Sequence, residues 1–272
     1  MEKTANPYKE LHIYYLQGRL NPEHRFNEDF FIGNWEEDDF SFLFFSKPYD
    51  KEIELLLHSF PDLKLLDKFQ MSYEQWHGEK YSSFSVGDII IEPPWESSTE
   101  YRGKNGARNR ILLDPGVVFG IGTHFTTRDC LYAVQSAFNE KAPEFTLDIG
   151  TGTGILAIAA SKMGCPLTLA VDINPLSAKT AKKNVNINRL DEKILVVCGN
   201  AENFMDYPCD FMIANIHYDV AEKLINSDGF YQKKRFILSG LLKSQAKVIE
   251  DKLIKRSVEI IRTWDQNGIW FT

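Results

Sequence analysis

Three glycines stand in the stretch Thr146-Leu147-Asp148-Ile149-Gly150-Thr151-Gly152-Thr153-Gly154, between a short apolar run and an amphipathic one. In a parallel α/β sheet such a stretch is the turn from the first strand into its helix, where these sheets bind ligands. Glycines there leave the backbone bare, so Gly150 and Gly152 let backbone amides and a helix N-terminus approach a bound molecule closely. The spacing is G-x-G-x-G. A dinucleotide fingerprint would carry its third glycine one position later, where this chain has Ile155.

Asp172 closes the next apolar run, about twenty residues on, where a carboxylate accepts hydrogen bonds from vicinal ribose hydroxyls. Turn and carboxylate together suit an adenosine without a pyrophosphate. The alternative is a tight turn followed by a surface aspartate. At the end of a third run, Gly199-Asn200-Ala201-Glu202 would lie beside the adenine. Asn200 could face the exocyclic amine through its side-chain carbonyl, or sit in an ordinary loop.

Other reactive side chains form no constellation. The four cysteines, Cys130, Cys165, Cys198 and Cys209, have no C-x-x-C spacing and fall in or beside apolar segments, so they read as reduced core residues. The six histidines include no pair at helical or finger spacing, which leaves a metal without a ligand set. A net charge of −7 disfavours nonspecific binding to nucleic acid and suits a basic partner better. No N-terminal h-region or membrane-length apolar run is present, so a cytoplasmic protein is expected.

The elements that must hold these residues follow from hydrophobic periodicity. From Glu144 onward, apolar runs alternate with amphipathic stretches, the mark of β-α-β units around a parallel sheet. Strands are predicted near 145–149, 168–171, 194–198, 211–214 and 235–238, and helices near 155–163, 176–188, 220–227 and 243–254. Two last strands, 258–264 and 268–272, would form an antiparallel edge with Asn267-Gly268 as their turn. Earlier in the chain, strands near 11–16, 30–35 and 40–45, a helix near 50–60 and a strand near 64–70 give an α+β order. The expected organisation is a small α+β domain over 1–80, a polar linker over 81–110 containing Ser97-Ser98-Thr99 and Arg102-Gly103-Lys104-Asn105-Gly106, and an α/β domain over 111–272.

The segment from Leu113 to Thr127 reads LDPGVVFGIGTHFTT, and it resembles the LDPG-x-x-FGTGTHPTT motif of the PrmA family of ribosomal protein methyltransferases. Asp148 through Ala160 is similar to the family's glycine block. Val171-Asp172-Ile173-Asn174-Pro175 is similar to its V-D-I-D-P, Ala214-Asn215-Ile216 to its A-N-I, and Leu238-Ser239-Gly240-Leu241-Leu242 to its L-S-G-I-L. The resemblance runs from Ser83 to the C-terminus. It implies a Rossmann-like, seven-stranded class I methyltransferase domain preceded by a small ferredoxin-like α+β domain. Carried over by position, it implies that Thr127, Gly150, Asp172 and Asn215 contact S-adenosylmethionine, and that Phe119, Gly122 and Thr123 form a lid beside its methionine part. Read without the family, Asp114-Pro115-Gly116 is a turn, and Gly120–Gly122 a flexible loop before a helix capped by Thr126. The family's proline is Phe125 here.

Methyl transfer is an in-line displacement that needs an aligned lone pair and no water. An amine titrates near 10.4, so it must lose a proton first, which a desolvated slot favours. Asn215 is the candidate catalytic residue: its amide oxygen, with the carbonyl of Ile216, could orient the attacking amine. His217 could take the proton, although a partly exposed loop histidine is the plainer reading, and His124 calls for the same reserve. Asn215-Ile216-His217-Tyr218 lacks both prolines of the N-P-P-Y form used on amides and adenines, which also weighs against nucleic acid.

In the resembled family the ferredoxin-like domain grips the ribosomal protein. Here only residues 18–28, broken by Gly18 and Asn21-Pro22, separate the first two strands, so that domain is expected to be reduced, without its first helix. Glu36-Glu37-Asp38-Asp39 could steer a lysine-rich partner or be a solvated hairpin turn, and Phe40, Phe42, Phe44 and Phe45 could be a docking face or a core side. The expected function is transfer of methyl groups to lysine or N-terminal amines of a protein substrate, in the family a ribosomal large-subunit protein, by a monomer. A small-molecule methyltransferase and a cofactor-binding module without turnover stay open.

Overall fold

Apolar runs rich in aromatic residues along Leu11–Leu16 and Phe40–Phe45 build an antiparallel sheet at the start of the chain. The computed structural model describes residues 6–20, 24–27, 29–78, 80–96 and 109–272, and the chain divides into two units, Met1–Ser82 and Ser83–Thr272. The first unit contains β1 (Glu10–Gln17), β2 (Phe31–Glu37), β3 (Phe40–Phe45), α1 (Asp50–Ser59), β4 (Lys64–Ser72) and α2 (Tyr73–His77). Its sheet has the order β2-β3-β1-β4, each neighbouring pair antiparallel. Ile53 and Leu56 of α1 pack with Tyr14, Leu16, Leu43 and Phe45 on one face.

This is the β-α-β-β-α-β element order with no helix between β1 and β2 among the described residues. Gly18 instead turns the chain at φ 99°, and its N–H donates to the Asp39 carbonyl at 2.7 Å. Asn21-Pro22 lies outside the described residues. The acidic run ends β2 and forms the hairpin turn into β3, with Asp38 left-handed at φ 50°. Phe44 and Phe45 are buried. Phe42, on the face opposite Phe45, is half-buried and stacks on Tyr15 at 4.5 Å.

In the second unit β5 (Phe84–Val86), β6 (Ile89–Glu92) and β7 (Arg110–Leu112) form a three-stranded sheet. Residues 84–92 are therefore not linker: Val86, Ile89 and Ile91 sit fully buried in the same core as Ile111 and Leu113. The alternation V-x-x-I-x-I was hidden by the prolines and serines around it. Ser97-Ser98-Thr99 and Arg102–Gly106 lie outside the described residues.

After α3 (Phe125–Glu140) come β8 (Phe145–Ile149), α4 (Ile155–Lys162), β9 (Leu167–Asp172), α5 (Pro175–Ile187) and β10 (Ile194–Cys198). β11 (Phe211–Asn215), α6 (Tyr218–Ile225) and β12 (Arg235–Ser239) follow. These strands form a parallel sheet in the order β10-β9-β8-β11-β12. The chain starts in the middle at β8, winds outward through β9 and β10, then returns to β11. A switch point therefore lies between β8 and β11, where open α/β sheets bind ligands. Leu131 and Val134 of α3, Ile155 and Ile158 of α4 and Val185 of α5 join one core. Ala221 and Leu224 of α6 join the other with Ile249 and Leu253 of α7 (Lys243–Lys255).

The expected seven strands are not all present in this sheet: among the described residues it has five. Residues 258–264 adopt no strand, and the last segment supplies only β15 (Trp270–Phe271), which pairs with β13 (Leu241–Leu242) and β14 (Asp265–Gln266) in a small separate sheet. Val258, Ile260, Ile261 and Thr263 carry high β-propensity, which measures fit to a pleated surface and does not supply a pairing edge. The hairpin turn falls at Asn267-Gly268, both left-handed at φ 56° and 66°.

Candidate active site

The glycine turn leaves β8 and is folded from within by two carboxylates. Asp148 is buried, and its Oδ2 accepts from Thr151 Oγ1 at 2.6 Å and from the Ala157 N–H at 3.1 Å, joining the turn to the first turn of α4. Its Oδ1 is also buried, with no hydrogen-bond partner among the described residues. Burial pushes the Asp148 carboxyl up to about 7. Asp172, at the end of β9, accepts from the Gly152 N–H at 2.8 Å and from the Asn174 N–H at 2.9 Å. Burial raises its carboxyl as well, against the lowering effect of those two bonds.

The turn's amides are largely used inside the protein. Gly150 and Thr151 both donate to the Val171 carbonyl, at 2.9 and 3.0 Å, and Gly154 donates to the Thr151 carbonyl at 2.8 Å. With Gly152 held by Asp172, little N–H capacity is left for a pyrophosphate. The turn thus offers shape rather than a phosphate cradle. Gly150 shows why: at φ 66°, a Cβ there would stand 2.5 Å from Ile216 Cγ2.

The segment before α3 is seated directly on this turn. Thr153 Oγ1 donates to the Gly120 carbonyl at 2.7 Å, and a Cβ on Gly152 would lie 3.1 Å from the Phe119 carbonyl. At its base, Asn184 of α5 accepts from the Asp114 N–H and donates to the carbonyls of Asp114 and Thr153, at 2.8, 3.0 and 2.9 Å. Phe119 projects 69% exposed, whereas Gly122 is enclosed by Phe84 and Ile155. Of the three residues expected in a lid, Phe119 is thus placed over the glycine turn through its backbone, Gly122 is packed inside, and Thr123 is half-buried. The base of this segment is pinned by buried polar bonds, which the reading as a flexible loop did not anticipate.

α3 is capped by His124 and not by Thr126: His124 Nδ1 accepts from the Thr126 N–H at 3.4 Å and stands 2.8 Å from Thr126 Oγ1. In its first turn Thr127 is buried, and its Oγ1 accepts from Asn215 Nδ2 at 3.3 Å. Asn215 ends β11, so this bond brings two predicted residues together at the switch point. With its amide nitrogen committed to Thr127, the Asn215 oxygen is the atom left to accept a hydrogen bond from a donor N–H. The Ile216 N–H donates to the Ser239 carbonyl at 3.1 Å, which anchors the strand end.

Asn200 is exposed and its Oδ1 accepts from the Glu202 N–H at 3.0 Å, capping the short helical turn Ala201–Phe204. The neighbouring Gly199 N–H donates to the Asp172 carbonyl at 2.9 Å, so this loop does border the β9 end. Cys198 corrects the reading of the cysteines: it is exposed at the end of β10, while the other three are buried, and all four are free. Asn184 was missed as a site residue, and Asp148 was read as part of the turn without the role of its buried carboxylate. A polar side chain in the otherwise apolar run of β8, or on the inner face of α5, was the available signal.

A family model described as "Ribosomal protein L11 methyltransferase (PrmA)" matches residues 54–272. The chain belongs to the PrmA family. A Clostridium perfringens protein named ribosomal protein L11 methyltransferase is 34% identical over 212 residues, 74% of this chain and 64% of that protein. One of the same name from Clostridium botulinum is 36% identical over 198 residues, 70% of this chain and 59% of that protein. This PrmA family chain therefore spans less than two thirds of the length of the curated relatives it matches. Among solved structures, the ribosomal protein L11 methylase of Lactobacillus delbrueckii subsp. bulgaricus is 29% identical with a TM-score of 0.60, over 70% of this chain and 96% of that one. The Rossmann-like class I methyltransferase fold is common to both. Among the described residues no helix is long and apolar enough to cross a membrane.

Proposed function

We propose that this chain transfers methyl groups from S-adenosylmethionine to amines of a protein, a ribosomal large-subunit protein being the favoured acceptor. One relationship carries the reading: Asp172, which binds the glycine turn through the Gly152 N–H, stands across the switch point from Asn215, which Thr127 orients. Family membership over residues 54–272 supports the same chemistry. The residues fit the cofactor. Asp172 keeps lone pairs for ribose hydroxyls, Gly150 and Gly152 leave room where side chains would intrude, and the internally bonded turn suits a nucleoside without a pyrophosphate.

When bound, S-adenosylmethionine supplies an electrophilic methyl group. The chain's own residues do the rest. Asp172 and the glycine turn fix the nucleoside end, with the Asn200 loop beside the base. Phe119–Thr123 covers the turn and limits water. Asn215 presents an acceptor oxygen that orients the incoming amine, and the Ile216 carbonyl can take a second N–H. The reading assigns Thr127, Gly150, Gly152, Asp172 and Asn215 to cofactor contact, with Phe119, Gly122 and Thr123 shaping the cover. A monomer working in the cytoplasm completes it.

Incubating the protein with radiolabelled S-adenosylmethionine and an extract lacking the native enzyme, then identifying the labelled species, tests the proposal. Label on ribosomal protein L11 is expected. Label confined to the low-mass fraction would point to a small-molecule acceptor, and cofactor binding without label anywhere would point to a module without turnover.

A further inference from the structure

Two histidines cap helices at the rim of the site, and they are used differently. His124, ahead of α3, spends its Nδ1 on the cap, accepting from the Thr126 N–H. His217, ahead of α6, makes no side-chain cap bond, although its carbonyl accepts from the N–H groups of Val220 and Ala221. Its imidazole is thus not required by the helix it begins. Nδ1 lies 3.4 Å from Asp219 Oδ2 in the first turn of α6, and both side chains are 74% exposed. His217 follows Asn215 by two residues, past the carboxyl end of β11 where the acceptor amine would be oriented.

Resting on the amine-methyltransferase reading above, we propose that His217 and Asp219 form a base dyad, with His217 receiving the acceptor's proton and Asp219 positioning the ring. With its proton on Nδ1, the neutral ring faces Asp219 Oδ2 at 3.4 Å and keeps the Nε2 lone pair for a proton. A protonated amine gives one N–H proton to Nε2, and the imidazolium so formed is stabilised by the Asp219 carboxylate. The freed nitrogen lone pair forms the N–C bond as the C–S bond breaks with its electron pair going to sulfur. Exposure lets Nε2 return the proton to water, so each added methyl can use the same base. Two nearby lysines are paired elsewhere: Lys223 of α6 with Glu202 at 3.7 Å, and Lys252 of α7 with Glu222 at 2.6 Å.

The full chain tests this with His217→Gln, His217→Gly and Asp219→Asn. Turnover of the Gln variant should fall at least about a hundredfold, within the range of general-base catalysis, with cofactor affinity unchanged. Added imidazole should restore turnover to the Gly variant, which a purely structural role would not allow. Nitrogen NMR should find the neutral His217 ring protonated at Nδ1 in the wild type and shifted toward Nε2 in Asp219→Asn. Full turnover of the Gln variant, failure of imidazole rescue, or a tautomer indifferent to Asp219 would overturn the dyad alone. A wild type that binds S-adenosylmethionine yet methylates no amine would overturn the parent reading and the dyad with it.

Discussion

The side-chain amide of Asn215 donates to Thr127 Oγ1 at 3.3 Å, tying the end of β11 to the first turn of α3 across 88 positions of sequence. Thr127 is buried, so its hydroxyl is a fixed acceptor. Thr127→Val keeps the shape and removes that acceptor, leaving the Asn215 amide free to turn its oxygen away from the amine. A neutral hydrogen bond contributes about 1 kcal/mol, so kcat/KM should drop roughly fivefold to tenfold. Thr127→Ser should retain most activity. Steady-state kinetics on the two variants check this, and equal rates for both would show that the bond does not orient Asn215.

Gly150→Ala probes the opposite wall of the same site. The new Cβ would stand 2.5 Å from Ile216 Cγ2 and would have to adopt φ 66°, which costs an L residue roughly 1–2 kcal/mol. Cofactor affinity should weaken at least about tenfold in a protein that still folds. Adding Ile216→Ala should recover the part due to the collision and not the part due to φ. Calorimetric titration of the single and double variants separates the two. Simple additivity would mean that Gly150 and Ile216 do not meet.

These contacts also show how far the sequence could be read. The parallel strands and the glycine turn were legible because each is a local pattern: an apolar run of five, then G-x-G-x-G, then an acid at a strand end. Thr127 and Asn215 came from a motif match, since no periodicity links positions 88 apart. The roles of Asn184 and Asp148 were not legible because each satisfies backbone groups of other segments, a property visible only once Asp114, Thr153 and Ala157 are in place. The opposite failure occurred at 258–264, where strong β-propensity drew a strand of which only Trp264 pairs, exchanging two backbone hydrogen bonds with Thr272 at 3.0 Å, and at 84–92, where the neighbouring prolines masked two strands.

Asp172→Asn should damage the site twice over. Both carboxylate oxygens accept backbone N–H groups, from Gly152 and from Asn174. An amide places an NH2 against one of those donors, so one bond becomes a donor–donor conflict costing about 1–3 kcal/mol. Cofactor affinity should fall tenfold to a hundredfold, and the urea midpoint should fall with it. Unchanged affinity with a lowered midpoint would restrict Asp172 to folding the turn.

Asp148 gives stability an unusual pH dependence. Burial pushes its carboxyl up to about 7 in the folded protein, while an unfolded aspartate titrates near 3.9. Between those values the native state holds a proton that the unfolded chain has lost. Stability from this group is therefore full below the unfolded value and declines as pH rises toward 7, by up to roughly 4 kcal/mol over the span. The buried Oδ1 that lacks a partner explains why the neutral form is preferred. Carboxyls held low by lysines, Asp50 by Lys68 and Asp210 by Lys234, act in the opposite sense, and they are common to any variant at Asp148. Comparing wild type with Asp148→Asn isolates the effect, since the Asn oxygen can still accept from Thr151 and Ala157. Urea midpoints measured at pH 5 and pH 8 should fall more for the wild type than for the variant. Equal changes in both would place the Asp148 carboxyl outside that window and remove burial as the force that sets it.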